Sequence, residues 1–342
     1  DRHEFTGSLF ISASRIGFTN PSRNVFFGDE TGDLVTGADN TFLGYRAGYS
    51  ADTDGTNNGL QNVIIGSKAV GNNQGQYAEA FAMTGTVAIG YQVLKNGAGS
   101  SNSVVIGSQA ADAVTTTDNL VIIGSGAGSA INSGDADGTV AIGYQALQDL
   151  TSGQYNNALG YRALADLTTG DYNIAIGHLT MEVHTTGVRN TAIGYAAMSN
   201  TDAGSTSSDS DDNIFIGYGA GSGAWTNAKS ENNVAVGGFS MDSPLEGALY
   251  NTALGNYTLT ALTTADESTA IGYNAGGSIT TGVRNVTVGA YSGDSLTTGA
   301  RNVAIGTHTL GTATTANLNV AIGQGAMEGA AAGVAFAGAI AI

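Results

Sequence analysis

Four histidines, 28 acidic residues and no cysteine make up most of the reactive chemistry of this 342-residue chain. The histidines are His3, His178, His184 and His308, and none stands in a nucleophile, metal or acid/base motif. His178 and His308 fall at ordinary positions of a repeat, which points to a structural role. Without cysteine there is no disulfide framework and no thiolate metal site. The carboxylates gather in small polar segments. Asp52-Thr-Asp54-Gly-Thr-Asn-Asn58 has the carboxylate density of a calcium loop but lacks its full spacing and closing Glu. Asp135 and Asp137 with Gly138, and Asp209, Asp211 and Asp212, are similar fragments. Calcium in these loops is the only cofactor suggested, and solvated acidic turns are the competing reading. Trp225, the single Trp, lies in an irregular insertion, where it either stacks on a sugar ring or packs its loop onto the body. It is carried forward as the one binding candidate. A glycosidase needs two opposed carboxylates in a cleft, and the spacing does not supply them. The Gly-rich stretches are not phosphate loops, because no Lys-Ser or Lys-Thr follows them. The expectation is a protein that is not an enzyme and carries no cofactor.

The element that must position these residues is a phrase, Asn-Val-Ala-Ile-Gly, which recurs with variation seventeen times between Gly28 and Gly323. Nine of the sixteen intervals between its glycines are 17 residues, and the rest run from 16 to 24. A period this short predicts a solenoid with one rung per repeat. The expected fold is all-β, a parallel β-solenoid (β-roll) of about 17 rungs with a 17-residue basic period, assembled as a parallel homotrimer. Three regions follow: an irregular segment 1–23, in which Arg15-Ile16-Gly17 reads as a degenerate rung; the repeat domain 24–327; and a Gly/Ala-rich segment 328–342. In the last, Val334-Ala335-Phe336 before Gly338 reads as the start of a further rung.

The residue before the phrase's Gly is apolar in every rung, and the residue two places earlier is Val or Ile in twelve. Side chains two apart on a strand share a face, so these two positions read as the internal core. The residue between them points the other way. It is apolar in sixteen rungs and Ala in ten: Ala88, Ala141, Ala158, Ala175, Ala192, Ala235, Ala253, Ala270, Ala304 and Ala321. An outward apolar strip of that length needs a cover. The expectation is a second copy of the chain, with these alanines at an oligomer axis; the alternative is the chain's own return segment. A 17-residue contour of about 56 Å allows two short strands and two turns per rung, and seventeen rungs stacked at strand spacing make a rod of roughly 80 Å. The Asn opening the phrase occurs in twelve rungs and suits an amide ladder. Tyr follows the Gly in seven. Five longer intervals carry small polar insertions, either a binding face or tolerated surface turns.

Net charge is −17, which disfavours nucleic acid and anionic membrane as partners. The start of the chain lacks the form of a signal peptide, and GAAAGVAFAGAIAI at its end is shorter than a bilayer span, so membrane insertion is not expected.

The rung Asn-Val-Ala-Ile-Gly-Tyr-x-Ala resembles the head repeats of trimeric autotransporter adhesins. The 17-residue form with Thr-Thr-Gly turns, as at 185–190 and 280–285, is similar to repeats of bacteriophage tail-fibre proteins, and HEFTGSLFISAS resembles a segment that precedes such repeats. The resemblance covers about residues 24–327. It implies a left-handed parallel β-roll with three chains around one axis. It also implies a structural fibre for host-cell attachment, located in a virion tail fibre. The partners implied are other copies of the chain, other fibre or virion proteins, and a cell-surface glycan or protein receptor. The alternatives are a bacterial surface adhesin or a self-assembling extracellular filament, and, third, a β-solenoid polysaccharide depolymerase. Neither a membrane-anchor barrel, nor a coiled-coil stalk, nor a C-terminal chaperone domain is seen in the sequence.

Overall fold

Each Asn-Val-Ala-Ile-Gly phrase places three strand-forming residues between a buried residue, Asn in most rungs, and a Gly that no strand can continue through. The computed structural model describes residues 22–32, 35–49, 58–71, 82–97, 99–132, 134–201, 209–225, 228–329 and 337–342. In it each of the seventeen phrases forms one three-residue strand, from β1 (Val25–Phe27) to β17 (Val320–Ile322), and β18 (Ile340–Ala341) adds one more. All pair in parallel in a single 18-stranded sheet, each strand beside its sequence neighbours. The fold is therefore a parallel β-solenoid. The register is kept across insertions: β10 (Thr191–Ile193) pairs with β11 (Ile214–Ile216), setting Ala192 opposite Phe215. The extra rung pairs Ile340 with Val320 and Ala341 with Ala321. Its strand lies after Gly338, and the residues expected to form it, 334–336, lie outside the described residues, as does Arg15-Ile16-Gly17.

The return half of each rung is not a second strand. Left-handed residues alternate along it, as at Gln145 (φ 52°) and Leu147 (φ 51°), and a strand cannot contain them. Its backbone still bonds from rung to rung: Arg162 N–H donates to Tyr144 O at 2.9 Å, and Leu164 N–H to Thr180 O at 3.0 Å. The residue before the phrase's Asn is also left-handed in every described rung. Wherever it is not Gly its φ lies between 52° and 63°, from Arg23 to Leu318.

The two faces of the strand are the reverse of the sequence expectation. The middle residue points into the solenoid. Ala88, Ala141, Ala158, Ala175, Ala192, Ala235, Ala253, Ala270, Ala304 and Ala321 are all 0% exposed within one chain. They are covered by the chain's own return segment, so none is available to an oligomer axis. The interior also takes the Ala three residues after the Gly and the Leu or Met after that, as in Ala146-Leu147 and Ala163-Leu164. The Val and Ile that flank the middle residue point outward and are half-buried or exposed. The physical reason is room. A rung this thin holds two facing layers of side chains, and its strand contributes small ones because the return segment contributes large ones.

Candidate interaction surfaces

The outward Val/Ile face is an apolar ribbon. It runs the length of the sheet, with Leu159 46%, Ile176 38%, Leu254 49% and Ile305 39% exposed. Two side-chain columns over a rod of roughly 80 Å make a ribbon about 10 Å wide, or on the order of 800 Å². That exceeds the largest apolar patch of a typical monomer and equals what one partner commits to a stable interface. Polar interruptions are few; Asn157 is the only residue of these columns that is neither apolar nor Thr.

The Asn at the head of the phrase does not reach this surface. Asn156, Asn173, Asn190, Asn213, Asn233 and Asn251 are fully buried and form an unbroken amide ladder. Asn173 Nδ2 donates to Asn156 Oδ1 at 3.2 Å and to Gly187 O at 2.8 Å, and Asn173 N–H donates to Asn156 Oδ1 at 2.9 Å. The pattern repeats from Asn190 to Asn251. Every amide group is satisfied, which is the condition for burying it without penalty.

His184 is built into this ladder. It sits where the two preceding rungs carry Leu150 and Leu167 and the next carries Thr201, and it is fully buried. Asn190 Nδ2 lies 3.1 Å from Nε2, so Nε2 accepts and Nδ1–H donates to Thr201 Oγ1 at 3.0 Å. Burial pushes the imidazole down to about 4, against smaller raising effects from the Gly187 backbone and Asp209. The unfolded group titrates near 6.5, so the unfolded chain binds the extra proton between pH 6.5 and 4. Stability is therefore full above pH 6.5 and falls by about 3 kcal/mol as pH drops to 4. His184→Leu, the residue of the two preceding rungs, is expected to abolish this part of the pH dependence. Thermal melts of both chains at pH 7 and pH 4.5 check it: other titrations cancel in the difference, and the variant should lead by more at the lower pH.

His178 and His308 join a different column. Tyr144, Tyr161, His178, Tyr195 and Tyr218 stack face to face with ring centroids 4.9–5.4 Å apart. Phe239, Tyr257, Tyr273, Tyr291 and His308 continue the column at 5.0–5.7 Å, three contacts edge-on and two stacked. Ring faces are spent on each other, while edges and hydroxyls meet solvent, with Tyr218 55% exposed. Both histidines thus have structural partners. His3 lies outside the described residues.

Trp225 is not on the surface. It is 0% exposed, and its ring lies 5.6 Å from that of Phe215, tilted at 59°. It cannot stack on a sugar; it packs its insertion onto the roll, where Gly221 leaves room beside the Phe215 ring. The acidic fragments are also engaged where they are described. Asp137 accepts from Asp118 N–H at 2.9 Å and Asp211 from Val188 N–H at 2.8 Å. Asp212 takes both guanidinium arms of Arg189, and Asp209 accepts from Thr186 and pairs with Lys229 at 3.3 Å. The Thr186 hydroxyl, then Lys229, hold Asp209 below the usual carboxylate range. Asp52, Asp54 and the Asp135 side chain lie outside the described residues, as do insertion residues 50–57, 72–81 and 202–208. Among the described residues no group of three His, Asp or Glu could hold a metal ion, and no helix is long and apolar enough to cross a membrane.

Fold and surfaces together define a β-solenoid whose own core is closed and whose one long apolar face is open. Comparison with protein-family models gives no match, and comparison with curated proteins gives none either.

Proposed function

We propose that this chain is the repeat region of an extracellular attachment fibre, a phage tail fibre in the first instance, in which three parallel copies join along their outward Val/Ile faces. The observation behind this reading is the apolar ribbon on a chain that has already buried its alanines. A surface of about 800 Å² per chain, in register over seventeen rungs, suits a parallel copy of itself better than a globular partner. The resemblance to adhesin-head and tail-fibre repeats supplies the number three. The polar edges then face outward on all three sides, where weak contacts to a cell-surface glycan or protein receptor are multiplied by valency. Other fibre proteins would meet the rod at its ends. A bacterial surface adhesin or extracellular filament would use the same trimer in another setting.

Sedimentation equilibrium and electron microscopy of the purified chain test the reading. The expected result is a mass three times 34.2 kDa and discrete rods about 80 Å long. A stable monomer would refute the shared axis, and end-to-end fibres would favour the filament over the tail fibre.

A further inference from the structure

The rung that ends in Gly124 leaves a gap in two side-chain columns. Two residues after the phrase's Gly, the rungs on either side carry Gln109 and Gln145; five residues after it they carry Asp112 and Gln148. The rung between them has Gly126 and Ser129 at these places. The omission opens a notch of about 330 Å³, bounded by these six residues and Ala130. Its span of two rung spacings, roughly 10 Å, and its volume place it at the small end of ligand sites.

The lining is polar. The carboxamides of Gln109, Gln145 and Gln148 make no hydrogen bond within the described residues. The Asp112 carboxyl is partly buried beside them, and this burial raises it above the usual carboxylate range. Three groups that both donate and accept, with one acceptor, complement adjacent hydroxyls that also do both. Among the described residues no aromatic or large aliphatic side chain lines the notch, so an apolar ligand gains little there. Asp112 and the net charge of −17 oppose an anion.

We propose that this notch binds one ring of a neutral sugar. The sugar would be an exposed unit of a cell-surface glycan, a source that rests on the attachment reading above. Binding itself needs only one chain, because every lining residue belongs to three successive rungs.

Gly126→Gln tests it by restoring the missing side chain. Gln109 and Gln145 hold the corresponding position at φ 54° and 52°, close to the 66° of Gly126, so the backbone accepts the change. An added Cβ meets nothing nearer than Gln145 Cγ at 3.5 Å. The probes are the methyl glycosides of glucose, galactose, mannose and N-acetylglucosamine, followed by saturation-transfer NMR and titration. At least one should bind the parent chain and bind Gly126→Gln and Gln145→Ala about tenfold more weakly, the scale of one lost polar group. Methyl glucuronide should bind more weakly than the matching neutral glycoside. The proposal is overturned if no glycoside binds, if Gly126→Gln binds equally well, or if ethylammonium competes better than any sugar. Sedimentation of the same samples keeps the two readings apart. Sugar binding by a monomer would condemn only the shared axis, and an intact trimer without sugar binding would condemn only the notch.

Discussion

Ile176→Glu combined with Ile305→Glu is expected to yield a folded chain that no longer assembles. In one chain these side chains are 38% and 39% exposed, so each carboxylate can reach water and the rung beneath keeps its packing. Around the proposed threefold axis the same position brings three carboxylates together in an apolar seam. Each such site costs several kcal/mol in unpaired, desolvated charge, and the like charges add repulsion. The mass should fall from three chains to one with the circular dichroism unchanged. Ala175→Glu should behave in the opposite way. Ala175 is fully buried, in a column that faces the Met181 layer, and a carboxylate there has neither water nor a partner. That chain should lose its folded signal rather than its mass. A folded, monomeric Ala175→Glu would place the alanines back at the axis.

The second large effect is expected at the phrase's Gly. Gly160 has φ 147°, and a Cβ there would come under 3.0 Å of the carbonyl group of Gly177 in the next rung. The same approach recurs from Gly28 to Gly306, one glycine above another. Nothing at that contact is a flexible side-chain tip, so the backbone of one rung must move away from the next. Gly160→Ala should cost more than about 3 kcal/mol, combining overpacking with a disfavoured φ. Gly323 closes the last full phrase, and no described residue lies within 4 Å of its added Cβ. Gly323→Ala should therefore cost only the backbone part, on the order of 1–3 kcal/mol. Denaturant melts of the two variants separate rung-to-rung contact from φ preference, and equal losses would assign the whole requirement to φ.

The period, the parallel stacking, the strand positions and the Asn ladder were legible because each is a repeat of residue types at fixed spacing. Which strand face is inside does not follow from alternation, because both faces are apolar and alternation alone cannot rank them. The deciding signal was present as a trade in volume. Where the middle strand residue is large the chain has Gly six residues on: Phe26 with Gly32, Phe42 with Gly48, Ile122 with Gly128, Phe215 with Gly221. Where it is Ala the partner is Leu or Met, as in Ala141 with Leu147, Ala175 with Met181 and Ala304 with Leu310. Sizes that compensate belong to side chains that touch, and a Cβ at Gly48 or Gly221 would indeed strike the Phe42 or Phe215 ring. Ile64 with Val70 and Ala270 with Gly276 depart from the trade, and at the second Ile279 and Leu259 fill the space. Tyr after the Gly was visible in the sequence, but its continuation through His178, and through rings one residue later at Phe239, Tyr257, Tyr291 and His308, depends on how the turn sets each ring. The notch at Gly126 is written only in what one rung lacks relative to its neighbours.

The chain has no cysteine, so single introduced thiols report one position each. Ile305→Cys and Ala304→Cys are adjacent on β16 (Val303–Ile305) and point to opposite faces. Treatment of the two native proteins with a short bifunctional maleimide is the most direct measurement of where the chains meet. Ile305→Cys should give covalently joined chains, while Ala304→Cys should stay unreactive until unfolded. Joined chains from Ala304→Cys, or an Ile305→Cys that labels freely without joining, would contradict an axis on the Val/Ile face.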